Sequence, residues 1–260
     1  MDLQLKGKSI IVTGGAKGIG FGIAKVLASE GAIPIIIGRS EADNQAAVAA
    51  IHSANGQAYF ITAELTNPVD CERAINEVLV IAGKIDGLVN NAGVNDGVGL
   101  ENGNYESFME SLHKNLVHYY LMAQYALPAL KKSAGAIVNI GSKTAETGQG
   151  NTSAYAASNG GRNALTREWA VELLQYGIRV NAVIVAECFT PLYESWIKTF
   201  DHPEEQLKMI TNKIPLGQRM TTAEEIANMV AFLLSEKSSH TTGQLIHVDG
   251  GYTHLDRAVG

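Results

Sequence analysis

Four glycines crowd the segment Thr13-Gly14-Gly15-Ala16-Lys17-Gly18-Ile19-Gly20. Glycine lets a backbone turn tightly and approach a bulky anion, and free N–H groups at a helix N-terminus then receive a pyrophosphate. A glycine cluster alone signals only a tight turn. Its placement between the β-branched run Ser9–Val12 and a helical pattern opening at Ile19 gives it chemical meaning. A second indication stands at Ile37-Gly38-Arg39-Ser40, where the next apolar run ends. A carboxylate there would bond the adenosine ribose hydroxyls of NAD and repel a 2′-phosphate. None is present. Arg39 instead offers a guanidinium fork for a phosphate, and Lys17 adds a second cation. Gly14, Lys17, Gly18, Ile19, Gly20 and Arg39 are therefore expected to hold NADP(H), with NAD(H) possible at lower affinity.

These residues need a frame, and the apolar pattern supplies one. Short β-branched runs at Ser9–Val12, Ile33–Ile37, Tyr59–Ile61, Gly87–Val89, Ala136–Ile140, Arg179–Val185 and Leu245–Val248 suit strands buried on both faces. Helical stretches lie between them: Ile19–Glu30, Ala42–Ala54, Val69–Ala82, Tyr105–Leu130, Ala154–Leu174 and Ala223–Leu234. Such alternation predicts an α/β fold, a single Rossmann-type domain over residues 1–260. Its doubly wound parallel sheet would have about seven strands with helices on both faces. Residues 190–218 break the rhythm with Pro191, Pro203 and Pro215 around two short helical candidates, Leu192–Phe200 and Glu204–Lys213. An insertion after the sixth strand falls where open α/β sheets bind ligands, so a substrate lid is expected.

The 260 residues are 46% hydrophobic, enough to fill a large core, and their net charge of -6 argues against a nucleic-acid or anionic-membrane surface. No uninterrupted apolar stretch of about 18 residues occurs, so no membrane association and a cytoplasmic location are expected. Cys71 and Cys188 read as reduced packing residues rather than a disulfide. The histidines show no metal-ligand spacing; His113 and His118, on the long helix, read as packing or surface residues.

The order and spacing of several motifs resemble the short-chain dehydrogenase/reductase family over essentially the whole chain. These are the Thr13–Gly20 turn, Asn90-Asn91-Ala92-Gly93, Asn115 in the long helix, Ser142, Tyr155 thirteen residues later, and Val248-Asp249-Gly250-Gly251. The resemblance implies that Glu64 and Leu65 flank the adenine, that Asn90 braces the core near the ribose, and that Asn91, Ala92, Gly93 and Thr190 line the cofactor. It also implies association as a homodimer or homotetramer through the two long helices. The segments 91–100, 143–153, 165–173 and 250–258 further resemble the L-fucose dehydrogenase group, which oxidises a sugar at its anomeric carbon.

By the same resemblance Tyr155 is the base, Ser142 polarises the substrate oxygen and Asn115 belongs to the catalytic set. In the family a lysine follows the tyrosine by four residues, holding the nicotinamide ribose and favouring loss of the phenolic proton. Here that position is Asn159. An amide can still bond ribose hydroxyls but brings no charge, so impaired or alkaline-shifted turnover is expected. Arg162, seven residues after Tyr155, and Lys143 are the two other cations on which the site could draw.

A monosaccharide needs convergent polar groups, because each buried hydroxyl must be paired. Asn95, Ser142, Gln149, Asn151, Tyr155, Glu187 and Trp196 are the expected substrate contacts, joined by Asp96 and Tyr193. Two readings stand open: an NADP-dependent oxidoreductase acting on a sugar or polyol, and an inactive dinucleotide-binding homologue serving as sensor or subunit. The polar pocket favours the first, and Asn159 the second.

Overall fold

The computed structural model describes residues 1–255, so the end of the 250–258 motif (Asp256, Arg257 and Ala258) lies outside the described residues. Seven strands form one parallel sheet in the order β3-β2-β1-β4-β5-β6-β7. They are β1 (Ser9–Thr13), β2 (Ile33–Gly38), β3 (Tyr59–Thr62), β4 (Gly87–Asn90), β5 (Ala136–Ser142), β6 (Arg179–Val185) and β7 (Leu245–Val248). The helices are α1 (Gly18–Ser29), α2 (Glu41–Ser53), α3 (Pro68–Ala82), α4 (Tyr105–Leu112), α5 (His118–Ser133), α6 (Ser153–Glu172), α7 (Pro191–Ile197), α8 (Pro203–Thr211) and α9 (Ala223–Leu234).

Successive residues of a strand point to opposite faces, and here both faces are apolar. Ile10 and Val12 pack with α1 and α9, while Ile11 between them packs with α3, α5 and α6. Helix ends follow local chemistry. Asn67 caps α3, Pro68 opens it and Gly83 closes it in the left-handed conformation. A Thr222–Glu225 capping box starts α9. Both cysteines are free and buried, and burial raises their thiols to about 11 at Cys71 and about 12 at Cys188.

One expectation needs correction. The continuous helix expected over Tyr105–Leu130 is interrupted by a π-helical turn, His113–Val117, between α4 and α5. The cause is tertiary, since the Asn115 carbonyl in that turn accepts a bond from Arg162 Nε on α6 at 2.6 Å. All crossovers leave the loops after β1, β4, β5 and β6 at the carboxyl edge of the sheet, where ligands of open α/β folds bind.

Candidate active site

The cradle is built first. Thr13 Oγ1 accepts from the backbone N–H groups of Asn91 (2.9 Å) and Ala92 (3.1 Å). Asn91 Nδ2 donates to the carbonyls of Thr13 (2.9 Å) and Gly14 (3.2 Å). The Asn91 amide thus fastens the glycine turn from behind. A Cβ on Gly20 would lie 2.2 Å from the Gly14 carbonyl oxygen, and Gly14 and Gly18 hold φ values of 61° and 54°. Lys17 offers α1 no side-chain cap, leaving its first-turn N–H groups open to an anion. Thr190, at the start of α7, closes over the turn: its Cγ2 would stand 3.3 Å from a Cβ on Gly18. These features fit a dinucleotide pyrophosphate.

The positions expected to choose the cofactor differ among themselves. Arg39 is exposed at the end of β2, whereas Lys17 already sits 2.8 Å from Asp43 and holds that carboxyl below its ordinary range. Glu64 folds back on Thr66, bonding its N–H and hydroxyl at 3.0 Å each. The Leu65 side chain packs in the core beside Cys71, whose Sγ donates to the Leu65 carbonyl at 3.3 Å.

Ser142 ends β5, and its Oγ accepts from the N–H (3.3 Å) and hydroxyl (3.1 Å) of Thr144. Tyr155 stands half-buried on the first turn of α6. Asn115 anchors the loop after β4: its Oδ1 accepts from Val94 N–H at 2.7 Å and its Nδ2 donates to the Ser111 carbonyl at 3.0 Å. That amide is a scaffold and is fully buried.

Asn159, expected to meet the ribose, is engaged within α6. It is wholly buried, its Nδ2 donates to the Tyr155 carbonyl at 2.9 Å, and its Oδ1 accepts from Arg162 Nη1 at 3.0 Å. Both ends of the amide thus hold partners within α6.

On the substrate side, Lys143 and Glu187 form a short ion pair, and Tyr193 bonds the same carboxylate. Burial and then Glu187 raise the Tyr193 phenol. Lys143 Nζ also lies 4.1 Å above the Tyr252 ring. Tyr193, Trp196 and Phe200 continue as edge-to-face rings 5.1 and 5.0 Å apart, leaving Trp196 45% exposed and free to meet a ligand. Asn95 instead makes a local turn with Gly97 N–H (3.3 Å), while Gln149 and Asn151 lie exposed in the loop before α6.

Sequence spacing gave no sign of metal ligands, yet Glu146, His247 and His254 bring ligand atoms within 4.8 Å of one another. His247 Nε2 meets Glu146 at 3.0 Å and its Nδ1 meets His254 at 3.3 Å. A separation of 101 residues hides that grouping from any motif.

A family model described as enoyl-(acyl carrier protein) reductase, of the short-chain alcohol dehydrogenase type, matches residues 14–253. The chain is 48% identical to the solved structure of Cj0485 dehydrogenase, with a TM-score of 0.94 over 99% of this chain and 98% of that one. It is 32% identical to L-fucose dehydrogenase of Bos taurus over 100% of this chain and 95% of that protein. It is also 33% identical to 3-oxoacyl-[acyl-carrier-protein] reductase of Chlamydia pneumoniae, over 98% of this chain and all of that protein. The chain belongs to the short-chain dehydrogenase/reductase family. It is an oxidoreductase of that type, built for a nicotinamide cofactor and a small-molecule substrate. No helix among the described residues is long and apolar enough to cross a membrane.

Proposed function

We propose that the protein is an NADP(H)-dependent oxidoreductase moving a hydride between nicotinamide and a carbinol carbon of a sugar or polyol, an L-fucose-like aldose being the preferred class. The observation that carries the substrate class is the Lys143–Glu187 pair beside Ser142, with the Tyr193 hydroxyl on the same carboxylate. Desolvated charged and hydroxyl groups reward a ligand that pairs them and penalise an alkyl or acyl chain that leaves them unpaired. The similarity to L-fucose dehydrogenase points the same way; that to 3-oxoacyl reductase names the competing class.

In this reading Gly14, Gly18, Ile19 and Gly20 hold the pyrophosphate, Arg39 holds the 2′-phosphate and Thr190 meets the carboxamide. The bound nicotinamide supplies the hydride acceptor. Ser142 donates its proton to the substrate oxygen, and Tyr155 accepts the hydroxyl proton as the carbinol C–H bond breaks. Residues 190–218 act as the lid, with Tyr193 and Trp196 over the sugar. The working form is a homodimer or homotetramer. A lysine-free helix position at Asn159 predicts an alkaline-shifted rate unless another cation serves Tyr155.

The test is cofactor reduction with aldoses, aliphatic alcohols, a steroid and an acyl thioester across neutral to alkaline pH. An aldose should give the highest kcat/KM. A steroid or thioester turned over faster than every aldose removes the substrate assignment. A second reading, dinucleotide binding without turnover, is favoured by the enclosed Asn159 amide; NADPH binding with no reaction on any substrate would establish it.

A further inference from the structure

Arg162 is 3% exposed on α6, yet no carboxylate lies within ion-pair range of it among the described residues. Its partners are neutral oxygens: Asn115 O at 2.6 Å from Nε, and Ile140 O at 3.1 Å and Asn159 Oδ1 at 3.0 Å from Nη1. Nη2 reaches Asn115 Oδ1 at 3.5 Å. These bonds engage all three guanidinium nitrogens without cancelling the charge. Apolar residues of similar volume often replace even paired buried ions without loss of stability, so packing alone does not explain a cation here.

The charge has a direction. The guanidinium carbon lies 5.9 Å from the centre of the Tyr155 ring and 4.3 Å from that of Tyr119. Tyr119 is unsuited to use it: its hydroxyl is committed to the Ile140 carbonyl at 3.1 Å, and burial raises it to about 12. Tyr155 is the ring of the two that reaches solvent. The field is already legible on His118, which burial and then Arg162 push down to about 3. The surroundings are shaped to the guanidinium, since a Cβ on Gly93 would stand 2.8 Å from Nη2.

Other charged groups nearby are occupied. Lys143, from the end of β5, is neutralised by Glu187, from the segment after β6. Lys114, in the π turn, is paired with Glu110 of α4 at 2.6 Å. Asp96 is two hydrogen bonds from Asn115, through Ser111 Oγ. We propose that Arg162 supplies Tyr155 with the fixed positive charge expected from a lysine at position 159, the cation having moved one helical turn along α6 with Asn159 as its neutral rest. Arg162 is thus a positioning residue acting through Tyr155. The pairing also explains Asn159: a lysine there would face a guanidinium where the amide oxygen now accepts a bond.

This inference rests on the oxidoreductase reading, so its test carries one readout that needs no turnover. Arg162→Met removes the charge, Arg162→Lys keeps it, and Asn159→Asp neutralises it in place by turning the accepting oxygen into a carboxylate. Each folded protein, verified by melting and NADPH binding, is followed by its pH–rate profile on an aldose. Tyr155 is followed separately by tyrosine 13Cζ NMR titration, its signal assigned with Tyr155→Phe.

Arg162→Met and Asn159→Asp should lose about 10- to 100-fold at neutral pH, the loss shrinking as pH rises, and should titrate Tyr155 at higher pH. Arg162→Lys should retain most of the rate, Arg162→Met with Asn159→Lys should recover it, and Asn159→Lys alone should gain nothing. Should Arg162→Met fail to fold, Asn159→Asp still decides. An unchanged Tyr155 titration and an unchanged profile in the charge-neutral variants overturn the proposal while leaving the enzyme reading intact. A shifted titration in a protein that turns over no substrate supports the proposal and removes the enzyme reading instead.

Discussion

Lys143 and Arg162 are both buried cations, 7% and 3% exposed, lying beside the two residues expected to do the chemistry. Lys143 follows Ser142 and ends on a carboxylate, Glu187, with the Tyr252 ring beneath it. Arg162 follows Tyr155 by two helical turns and ends on backbone and amide oxygens. The first arrangement cancels its charge and offers a rigid polar wall suited to hydroxyls. The second engages its nitrogens with neutral oxygens alone and leaves the charge uncancelled beside the Tyr155 ring. Burial and residue class therefore do not decide what a cation does; the charge of its acceptors does.

The largest effect expected is at the residue both regions serve. Tyr155→Phe should reduce aldose oxidation by about 1000-fold or more while NADPH binding, followed by cofactor fluorescence, persists. A rate that survives would separate both cations from the reaction.

Next is the asymmetry of removal. Glu187→Ala strands the Lys143 ammonium in a largely dry site, and breaking one side of a buried pair costs about 3–5 kcal/mol. Chemical denaturation should show a loss of that order, with the aldose KM rising and NADPH affinity unchanged. Arg162→Met strands neutral acceptors instead of a charge, so its loss should not vary with salt or with the aldose KM as that of Glu187→Ala does. Equal salt dependence in the two proteins would erase the distinction.

Burial, and after it the Arg162 charge, also predicts acid behaviour at His118. His118 is held neutral in the folded protein, with its value lowered from 6.5 to about 3. Folding stability from this group is complete above about 6.5 and falls as pH drops through that value towards about 3. His118→Leu should flatten the denaturation midpoint over that window, and Arg162→Met should flatten it partly. A midpoint equally steep in His118→Leu would assign acid sensitivity elsewhere.

The smallest of these effects lies away from both cations, at the cofactor. Arg39→Asp should reverse the preference for NADPH over NADH, shifting relative affinity by about 2–4 kcal/mol in calorimetric titration. Lys17→Met should shift it less, because Lys17 is already engaged by Asp43 at 2.8 Å. Equal affinities for the two cofactors in the unmodified protein would withdraw the role given to Arg39.

Much of this molecule was legible in its sequence. The seven β-branched runs match β1 to β7 within about two residues at either end, because a strand buried on both faces needs apolar side chains at every position. The glycine turn and Ser142 also lay at recognisable element ends, since turn geometry and strand termini are local properties. The lysine missing from position 159 was equally plain.

What took that lysine's place was not. Sequence reading placed Arg162 on the helical face of Tyr155 beside Lys143 as an equal candidate, and could not tell which cation would meet a carboxylate. It also continued one helix through Asn115, because nothing in residues 105–130 announces a π turn. Both outcomes depend on contacts between segments far apart in the chain: Glu187 with Lys143 across 44 residues, and Arg162 with Asn115 across 47. Periodicity reports which face of an element is apolar, and so the sequence alone determined the sheet, its cradle and the gap in the usual catalytic set. Electrostatics falls off with distance in space rather than along the chain, so only the tertiary structure decided which charge stays uncancelled beside Tyr155.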